Sequence, residues 1–246
     1  ITEFIPNGTL DQIISMSSKN YNNSKWTETQ KLINIYGIAF GMSYLHSLNI
    51  IHRNLTTKSI LLDEFFYPKI IDFGFALDLN KKENFNSEEK DLNEDKNIKR
   101  DDNEEKIKKL IEKDENNEKL FEENNGKLFE DINVIQFDHD SKENLIGTPV
   151  YMAPEIWENV QYSKSSDVFA YSIILYEILT CKFPYKFKAA HQIARFITEG
   201  GRPDVENKGI PECFVDLLTK CWDPEPEKRP TFEEIVSELK EVKLEG

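Results

Sequence analysis

The longest amphipathic pattern in the chain predicts a helix over residues 27 to about 48. Thr27 is a favourable N-cap residue, and Gln30 stands three positions later, which is the spacing of a capping box. Apolar residues recur at intervals of three or four positions along this helix: Ile33, Tyr36, Phe40, Tyr44 and Leu48, with Ile35 and Ile38 beside them. We therefore expect a well-buried helix whose apolar stripe faces the core.

Five further segments have helical patterns. Leu10, Ile13, Ile14 and Met16 give one short apolar face. Residues 168–179 are apolar on nearly every side, which is typical of a helix at the centre of a core. Amphipathic helices are predicted for residues 189–199, 211–222 and 231–242, the last with a capping box at its start.

A β-hairpin is predicted between the first long helix and the rest of the chain. Two short apolar runs, Ile60–Leu62 and residues 70–71, are separated by a turn over residues 63–68. The predicted fold class is therefore α+β, predominantly α, with one small β-hairpin.

Residues 81–144 differ in kind from the rest of the chain. They contain 21 acidic and 13 basic residues, a net charge of −8, and the sequence Lys-Leu-Phe-Glu occurs at 119–122 and again at 127–130. Such low hydrophobicity and high charge predict disorder, because too little apolar surface can be buried to offset the entropy of ordering. We expect two folded parts, residues 1–80 and 145–246, separated by a long acidic, asparagine-rich insertion over residues 81–144.

The composition of the whole chain excludes some classes of partner. The formal net charge of −14 argues against nucleic acid and against anionic membranes as partners. The chain shows neither a long apolar run nor a secretory signal, which favours a cytoplasmic protein. Cys181, Cys213 and Cys221 form no metal-binding or disulfide pattern, and we expect them to be buried in a reducing compartment.

Three short motifs stand in order on the folded parts. Residues 52–55 read His-Arg-Asn-Leu between the long helix and the hairpin, and residues 72–74 read Asp-Phe-Gly after it. Residues 147–155, Gly-Thr-Pro-Val-Tyr-Met-Ala-Pro-Glu, follow the acidic segment. Asp167 then opens the central helix, and Arg229 precedes the last helix. This order resembles the signature set of the eukaryotic protein kinases: catalytic loop, metal-binding motif and Ala-Pro-Glu motif.

The resemblance extends to a group and to a lobe. Residues 148–155, 221–224 and 228–230 are most similar to the tyrosine-kinase-like group, whose members usually phosphorylate Ser/Thr. The stretch 2–10 resembles the hinge of a kinase and the start of the next helix. The resemblance therefore implies a C-terminal lobe that opens at the hinge, without the N-terminal lobe that covers ATP.

The resemblance also assigns roles to individual residues. It implies ATP and Mg²⁺ as cofactors, with Asp72 as a Mg²⁺ ligand and with Phe4 and Leu61 in the nucleotide site. Glu155 and Arg229 form a buried ion pair in this family. Asp167 accepts hydrogen bonds from the backbone of the catalytic loop. Arg53, in active members, receives a phosphate on the activation segment.

The catalytic loop departs from the kinase pattern at three positions. The candidate catalytic residues are Arg53, Asn54 and Thr148, and Asn54 stands where the family has the aspartate that accepts the substrate proton. An amide cannot take that proton at neutral pH, and loss of a general base costs about 10²–10⁴-fold in rate. Ser59 replaces the asparagine that binds the second Mg²⁺, and Thr56 replaces a lysine near the transferring phosphate.

These departures favour a pseudokinase that serves as a scaffold or regulatory module for other proteins. We expect ATP binding to be weak, since the roof of the nucleotide site is missing from this chain. An alternative is an active or residually active Ser/Thr kinase whose N-terminal lobe lies upstream. A third possibility is that the acidic insertion is the functional part and docks a basic partner. A decaying or partial gene product is the remaining alternative.

Overall fold

The computed structural model describes residues 3–18, 26–81, 135–136, 146–185, 189–206 and 208–242. These residues include seven α-helices and six short strands. The helices are α1 Leu10–Ser18, α2 Glu28–Ser47, α3 Pro154–Asn159, α4 Lys164–Thr180, α5 Ala190–Thr198, α6 Glu212–Cys221 and α7 Phe232–Glu241. The strands are β1 Ile50–Ile51, β2 Ile60–Leu62, β3 Pro68–Ile70, β4 Leu77–Asp78, β5 Ile135–Gln136 and β6 Ile146–Gly147. The predicted α+β class with a predominance of helix is confirmed.

The central helix α4 lies in the core as its apolar sequence predicts. Of its 17 residues, 13 are buried. Ser163 caps the helix by accepting a hydrogen bond from the backbone N–H of Ser166, and the Ser166 side chain completes a capping box. Helices α2 and α6 pack against α4, so the rest of the described fold is assembled around it.

Helix α2 forms at the predicted place but buries only part of the predicted apolar stripe. The Thr27 hydroxyl accepts a hydrogen bond from the backbone N–H of Gln30, as expected of an N-cap. The buried face carries Ile35, Ile38, Ala39 and Met42, whereas Phe40, Tyr44 and Leu48 of the predicted stripe are exposed. The predicted stripe is therefore confirmed for Ile35 and Ile38 and wrong for Phe40, Tyr44 and Leu48. Because α2 is apolar on several sides, its packing against α4 and α7 decides which side is buried.

Two glycines let α2 approach the hairpin closely. A Cβ atom on Gly37 would lie 2.6 Å from Cγ of Pro68, and one on Gly41 would lie 2.9 Å from Cδ1 of Ile70. Both contacted residues belong to β3. Small residues one helical turn apart therefore make room for the strand.

The strands form three two-stranded antiparallel sheets within the described residues. The pairing of β2 with β3 is the predicted hairpin, with Ile60 opposite Ile70. The expectation of a single hairpin is wrong, because β1 also pairs with β4 and β5 pairs with β6. These additional strands are only two residues long, which is too short for hydrophobic alternation to reveal them.

Most of the predicted insertion, residues 81–144, lies outside the described residues. Within it the structure describes residue 81 and strand β5 alone. The pairing of β5 with β6 ties this small part of the segment to the folded chain. The predicted disorder of the remainder stays a prediction.

The three cysteines are free thiols, but they are not all buried. Cys221 is buried, Cys181 is half-buried and Cys213 is exposed. The expectation is wrong for Cys213 because the buried face of α6 is formed by other residues, among them Phe214 and Leu217. In the described part of the chain, no helix combines the length and the apolar character needed to cross a membrane.

Candidate functional site

Asp167 holds the backbone of the loop that contains Asn54. Its two carboxylate oxygens accept hydrogen bonds from the backbone N–H of His52 at 2.8 Å and of Arg53 at 3.0 Å. The ring of His46 lies 3.0 Å from the same carboxylate, so Asp167 joins α2, the loop and α4. The predicted scaffolding role of Asp167 is confirmed. Arg53 has φ +66°, an unfavourable backbone angle for a residue with a Cβ atom, which these bonds help to maintain.

A buried ion pair joins the glutamate of the Ala-Pro-Glu motif to Arg229. The guanidinium of Arg229 donates to both oxygens of Glu155, at 2.7 and 2.8 Å. It also donates to the backbone carbonyl of Ser165 at 3.0 Å and lies 5.2 Å from the ring centre of Phe169. The predicted pair is confirmed, and its bidentate geometry suits the planar fork of arginine.

Asn54 is buried beside the segment that carries Thr148. Its side-chain oxygen accepts a hydrogen bond of 3.1 Å from the Thr148 hydroxyl, and the residue is 6% exposed. The structure therefore brings these two predicted site residues together. The amide oxygen can orient a hydroxyl group, but no atom of the amide is basic enough to accept a proton at neutral pH.

The hydroxyls of Thr56 and Ser59 bind to the backbone of their own turn. Residues Thr57–Ser59 form one turn of 3₁₀ helix, and Thr56 caps it by accepting hydrogen bonds from the N–H groups of Lys58 and Ser59. The Ser59 hydroxyl accepts from the N–H of Thr56 at 2.8 Å and donates to its carbonyl at 2.9 Å. Since Ser59 is also 3% exposed, its hydroxyl is largely committed to this turn. Its role as a Mg²⁺ ligand stays a prediction.

Asp72 presents an exposed carboxylate next to the catalytic loop. Its backbone is left-handed, with φ +67° and ψ +60°, and its side chain has no hydrogen-bond partner among the described residues. The ring of Phe73 packs against that of His52, with 5.4 Å between ring centres. A carboxylate in this state fits Mg²⁺, which needs only one or two protein carboxylates when nucleotide phosphates supply other ligands. No group of three or more His, Cys, Asp or Glu side chains in the described part could hold a metal ion by itself.

The two residues predicted for the nucleotide lie on neighbouring segments. Residues 7–9 run beside β2, with hydrogen bonds of 2.9 Å from Leu62 N to Gly8 O and 3.2 Å from Asn7 N to Leu62 O. Leu61 is half-buried in β2, and Phe4 is 86% exposed just before this pairing. Leu61 therefore lies in the strand with which residues 7–9 pair, and Phe4 lies three residues before that pairing. Their contact with a nucleotide stays a prediction.

Arg53 connects three segments through its side chain. Its Nε donates to the carbonyl of Phe75 at 2.5 Å, and its guanidinium lies 5.5 Å from the ring centre of Tyr162. The Tyr162 hydroxyl in turn accepts from the N–H of Ile146 and donates to its carbonyl. Burial raises the pKa of Tyr162 to about 12, so this hydroxyl keeps its proton. The side chain of Arg53 therefore binds to other residues of this chain, namely Phe75 and Tyr162.

A cavity of about 360 Å³ lies beside Asn54 and contains residues that sequence reasoning missed. The Tyr151 hydroxyl donates to a carboxyl oxygen of Glu177 at 2.7 Å and lies 2.9 Å from the Thr57 hydroxyl. Burial raises the pKa of Glu177 to about 8. One signal could have revealed this group, because Glu177 is the only charged residue in the apolar stretch 168–179.

Comparison with known proteins agrees with this geometry. Residues 1–99 and 128–239 match the family model described as protein tyrosine and serine/threonine kinase. The chain is 28% identical over 242 residues to the RGS domain-containing serine/threonine-protein kinase A of Dictyostelium discoideum, covering 98% of this chain and 16% of that protein. It is 26% identical over 244 residues to the serine/threonine-protein kinase STY17 of Arabidopsis thaliana, covering 98% of this chain and 32% of that protein.

A third relative is the dual specificity protein kinase pyk3 of Dictyostelium discoideum, 26% identical over 246 residues, with 98% of this chain and 13% of that protein covered. The chain spans about a tenth to a third of the length of the curated relatives it matches. The family match covers most of the chain and includes the catalytic loop, the Asp-Phe-Gly motif and the Glu155–Arg229 pair. The chain therefore belongs to the protein tyrosine and serine/threonine kinase family.

Proposed function

We propose that this kinase domain is a pseudokinase of the tyrosine-kinase-like group and that it works as a scaffold or regulatory module for other proteins. The observation that carries the proposal is Asn54. It stands where the family has its proton-accepting aspartate, and its oxygen already accepts a hydrogen bond from Thr148. General-base assistance worth about 10²–10⁴-fold in rate is missing at this position.

The neighbouring turn supports the same proposal. A second Mg²⁺ would need an oxygen ligand at position 59, but the Ser59 hydroxyl is buried and bonded to the backbone of Thr56 on both its donor and acceptor sides. Thr56 offers no positive charge to a transferring phosphate. Three positions of one loop therefore lack the groups that phosphoryl transfer uses.

ATP and Mg²⁺ remain the cofactors that the family implies. Asp72 would hold Mg²⁺, since its carboxylate is exposed and has no hydrogen-bond partner among the described residues. When bound, ATP would supply the γ-phosphoryl group and Mg²⁺ would neutralise charge on its phosphates. Phe4 and Leu61 are the residues we propose for contact with the base.

An active or residually active Ser/Thr kinase is the second candidate function. It is favoured by the exposed carboxylate of Asp72 and by the scaffold around it, which retains the Asp167 contacts and the Glu155–Arg229 pair. In that case electrostatic stabilisation around Mg²⁺ would provide most of the remaining rate enhancement.

Transfer of radiolabelled γ-phosphate to protein substrates separates the two candidates. The assay compares the full-length protein with its Asn54→Asp and Asp72→Ala variants. We expect the unmodified protein to transfer no more phosphate than Asp72→Ala, and Asn54→Asp to raise transfer by about 100-fold if the rest of the site is competent. Phosphate transfer by the unmodified protein that disappears in Asp72→Ala would overturn the pseudokinase proposal.

A basic protein partner for the acidic segment 81–144 is a separate proposal, motivated by the net charge of −8 in that segment. It predicts that deletion of the segment abolishes a protein interaction that the folded parts alone do not support. Affinity capture with and without residues 82–134 tests it, a deletion that keeps strand β5 and its pairing with β6. An unchanged set of captured proteins would count against this proposal.

A further inference from the structure

A closed series of contacts runs around the hydrogen bond between Asn54 and Thr148. Arg53, next to Asn54 in the catalytic loop, places its guanidinium 5.5 Å from the ring centre of Tyr162. The Tyr162 hydroxyl accepts a hydrogen bond of 2.6 Å from the N–H of Ile146 and donates one of 2.5 Å to its carbonyl. Two residues later, Thr148 donates to Asn54. Tyr162 and the Asn54–Thr148 bond therefore join the same two segments at two places.

The segment that carries Thr148 lies close to the catalytic loop at its backbone as well. Gly147 has φ +139°, and a Cβ atom at this position would lie 3.4 Å from the carbonyl oxygen of Arg53. The hydrogen bond from Thr148 to Asn54 is 3.1 Å long, and a separation of about 3.6 Å would no longer be a hydrogen bond. A shift of about 0.5 Å in residues 146–148 is therefore enough to break it.

The contacts of Tyr162 hold the two segments through uncharged groups of the chain. Burial raises the pKa of Tyr162 to about 12, so its hydroxyl is neutral at pH 7 and can both donate and accept. Arg53 meets the ring of Tyr162 with its guanidinium and donates from Nε to the carbonyl of Phe75. In active relatives a phosphate on the activation segment would bind this arginine. Here the ring and a backbone carbonyl bind it instead.

We infer that Tyr162 is a positioning residue for the Asn54–Thr148 pair, acting through Ile146 on one side and through Arg53 on the other. Its hydroxyl fixes the backbone two residues before Thr148, and its ring fixes the guanidinium next to Asn54. This placement does not require phosphorylation of the chain. The inference rests on the proposed function in one respect, namely that Asn54 and Thr148 belong to the functional site.

The test measures amide hydrogen–deuterium exchange of the full-length protein by mass spectrometry, in peptides that cover residues 146–152 and 52–55. Tyr162→Phe removes the hydroxyl and keeps the ring, whereas Tyr162→Leu removes both. Thr148→Val and the double variant with Tyr162→Phe complete a mutant cycle. Tyr67→Phe is the matched control, because Tyr67 is 49% exposed and its hydroxyl has no hydrogen bond to any described residue.

The two substitutions of Tyr162 are expected to separate its hydroxyl from its ring. Tyr162→Phe should speed exchange in residues 146–152 about tenfold, because an N–H and a carbonyl both lose their partner. Exchange in residues 52–55 should change less than about twofold, since the ring still contacts Arg53. Tyr162→Leu should speed exchange in both peptides. Tyr67→Phe should change neither by more than about twofold.

The mutant cycle separates positioning from simple stabilisation. We expect Thr148→Val to speed exchange in residues 146–152 about fivefold in the unmodified protein, but less than about twofold in the Tyr162→Phe background, because the displaced segment no longer forms the bond to Asn54. A residue that only stabilised β6 would give two effects that multiply. Circular dichroism checks that each variant is folded, and the cycle remains decisive if Tyr162→Leu fails to fold.

Effects of Tyr162→Phe and Thr148→Val that multiply in the double variant overturn the inference, and so does unchanged exchange in Tyr162→Phe. Treatment of the unmodified protein with a phosphatase is the second arm, and we expect exchange in residues 146–152 to stay within about twofold. An increase as large as that of Tyr162→Phe would mean that a phosphate holds this segment and would contradict the inference. No phosphate transfer is measured, so failure here is distinct from failure of the proposed function.

Discussion

The side-chain oxygen of Asn54 accepts a hydrogen bond from the hydroxyl of Thr148, 94 residues later in the chain. This contact joins the catalytic loop to the segment that leads into α3. It also uses one of the two lone pairs through which the amide oxygen can accept hydrogen bonds. The site is therefore held together by a neutral hydrogen bond at the position where an active relative needs a base.

Thr148→Val tests the energy of this hydrogen bond. The substitution keeps the shape of the side chain and leaves the oxygen of Asn54, which is 6% exposed, without its donor. We expect the free energy of unfolding to fall by about 1–2 kcal/mol, measured by urea denaturation. In the background of Asn54→Ala the same substitution should cost much less, because the bond is already absent. Equal costs in both backgrounds would contradict the assignment.

Glu155→Ala tests the buried pair with Arg229. Removal of one partner leaves a guanidinium with no carboxylate in a buried position, and we expect a loss of about 3–5 kcal/mol in the free energy of unfolding. Glu238→Ala is the matched control, since Glu238 pairs with Lys220 at 2.9 Å on the surface. Such exposed pairs contribute about 0–1 kcal/mol. A similar loss in both variants would mean that the buried pair has no special structural weight.

The sequence was sufficient for those parts of the structure that depend on local pattern. The apolar run at 168–179 can only be accommodated inside a core, and Thr27 and Thr231 begin helices through bonds within one turn. The contacts of Asp167 and the Glu155–Arg229 pair could be predicted because the sequence motifs resemble those of a family in which these contacts occur. Long-range partners of this kind could not have been obtained from periodicity.

The remaining features depend on which segments meet in three dimensions. Helix α2 has apolar residues on more than one side, so its buried face is chosen by α4 and α7. The link from Thr57 through Tyr151 to Glu177 joins three distant segments, and no spacing in the sequence indicates it.

Gly37→Ala tests the close contact between α2 and β3. Alanine favours a helix over glycine by about 1 kcal/mol, so a solvent-facing position would be stabilised. At Gly37 the new Cβ atom would meet the proline ring of Pro68 at 2.6 Å. We expect a net loss of about 1–3 kcal/mol in the free energy of unfolding. Gly41→Ala should cost less, because its neighbour is the flexible end of Ile70. Stabilisation by Gly37→Ala would show that the strand moves away freely.

Glu177 predicts a specific dependence of stability on pH. Burial raises the pKa of its carboxyl from 4.5 to about 8, and the charge of nearby Asp11 adds to this effect, while the hydrogen bond from Tyr151 opposes it. The folded protein therefore keeps a proton that the unfolded chain releases near pH 4.5. Stability due to this group is fully present at low pH and is lost as pH rises from about 4.5 to about 8.

Glu177→Gln removes this titration while preserving a side chain that can accept the hydrogen bond from Tyr151. The free energies of unfolding of both proteins are measured by urea denaturation at about pH 5.5, 7 and 8.5. We expect the unmodified protein to lose stability relative to the variant by up to about 1.4 kcal/mol per pH unit between the first two points, with a flatter difference above pH 8. Parallel stability curves for the two proteins would mean that Glu177 is already ionised throughout this range, with a cation or water compensating its burial.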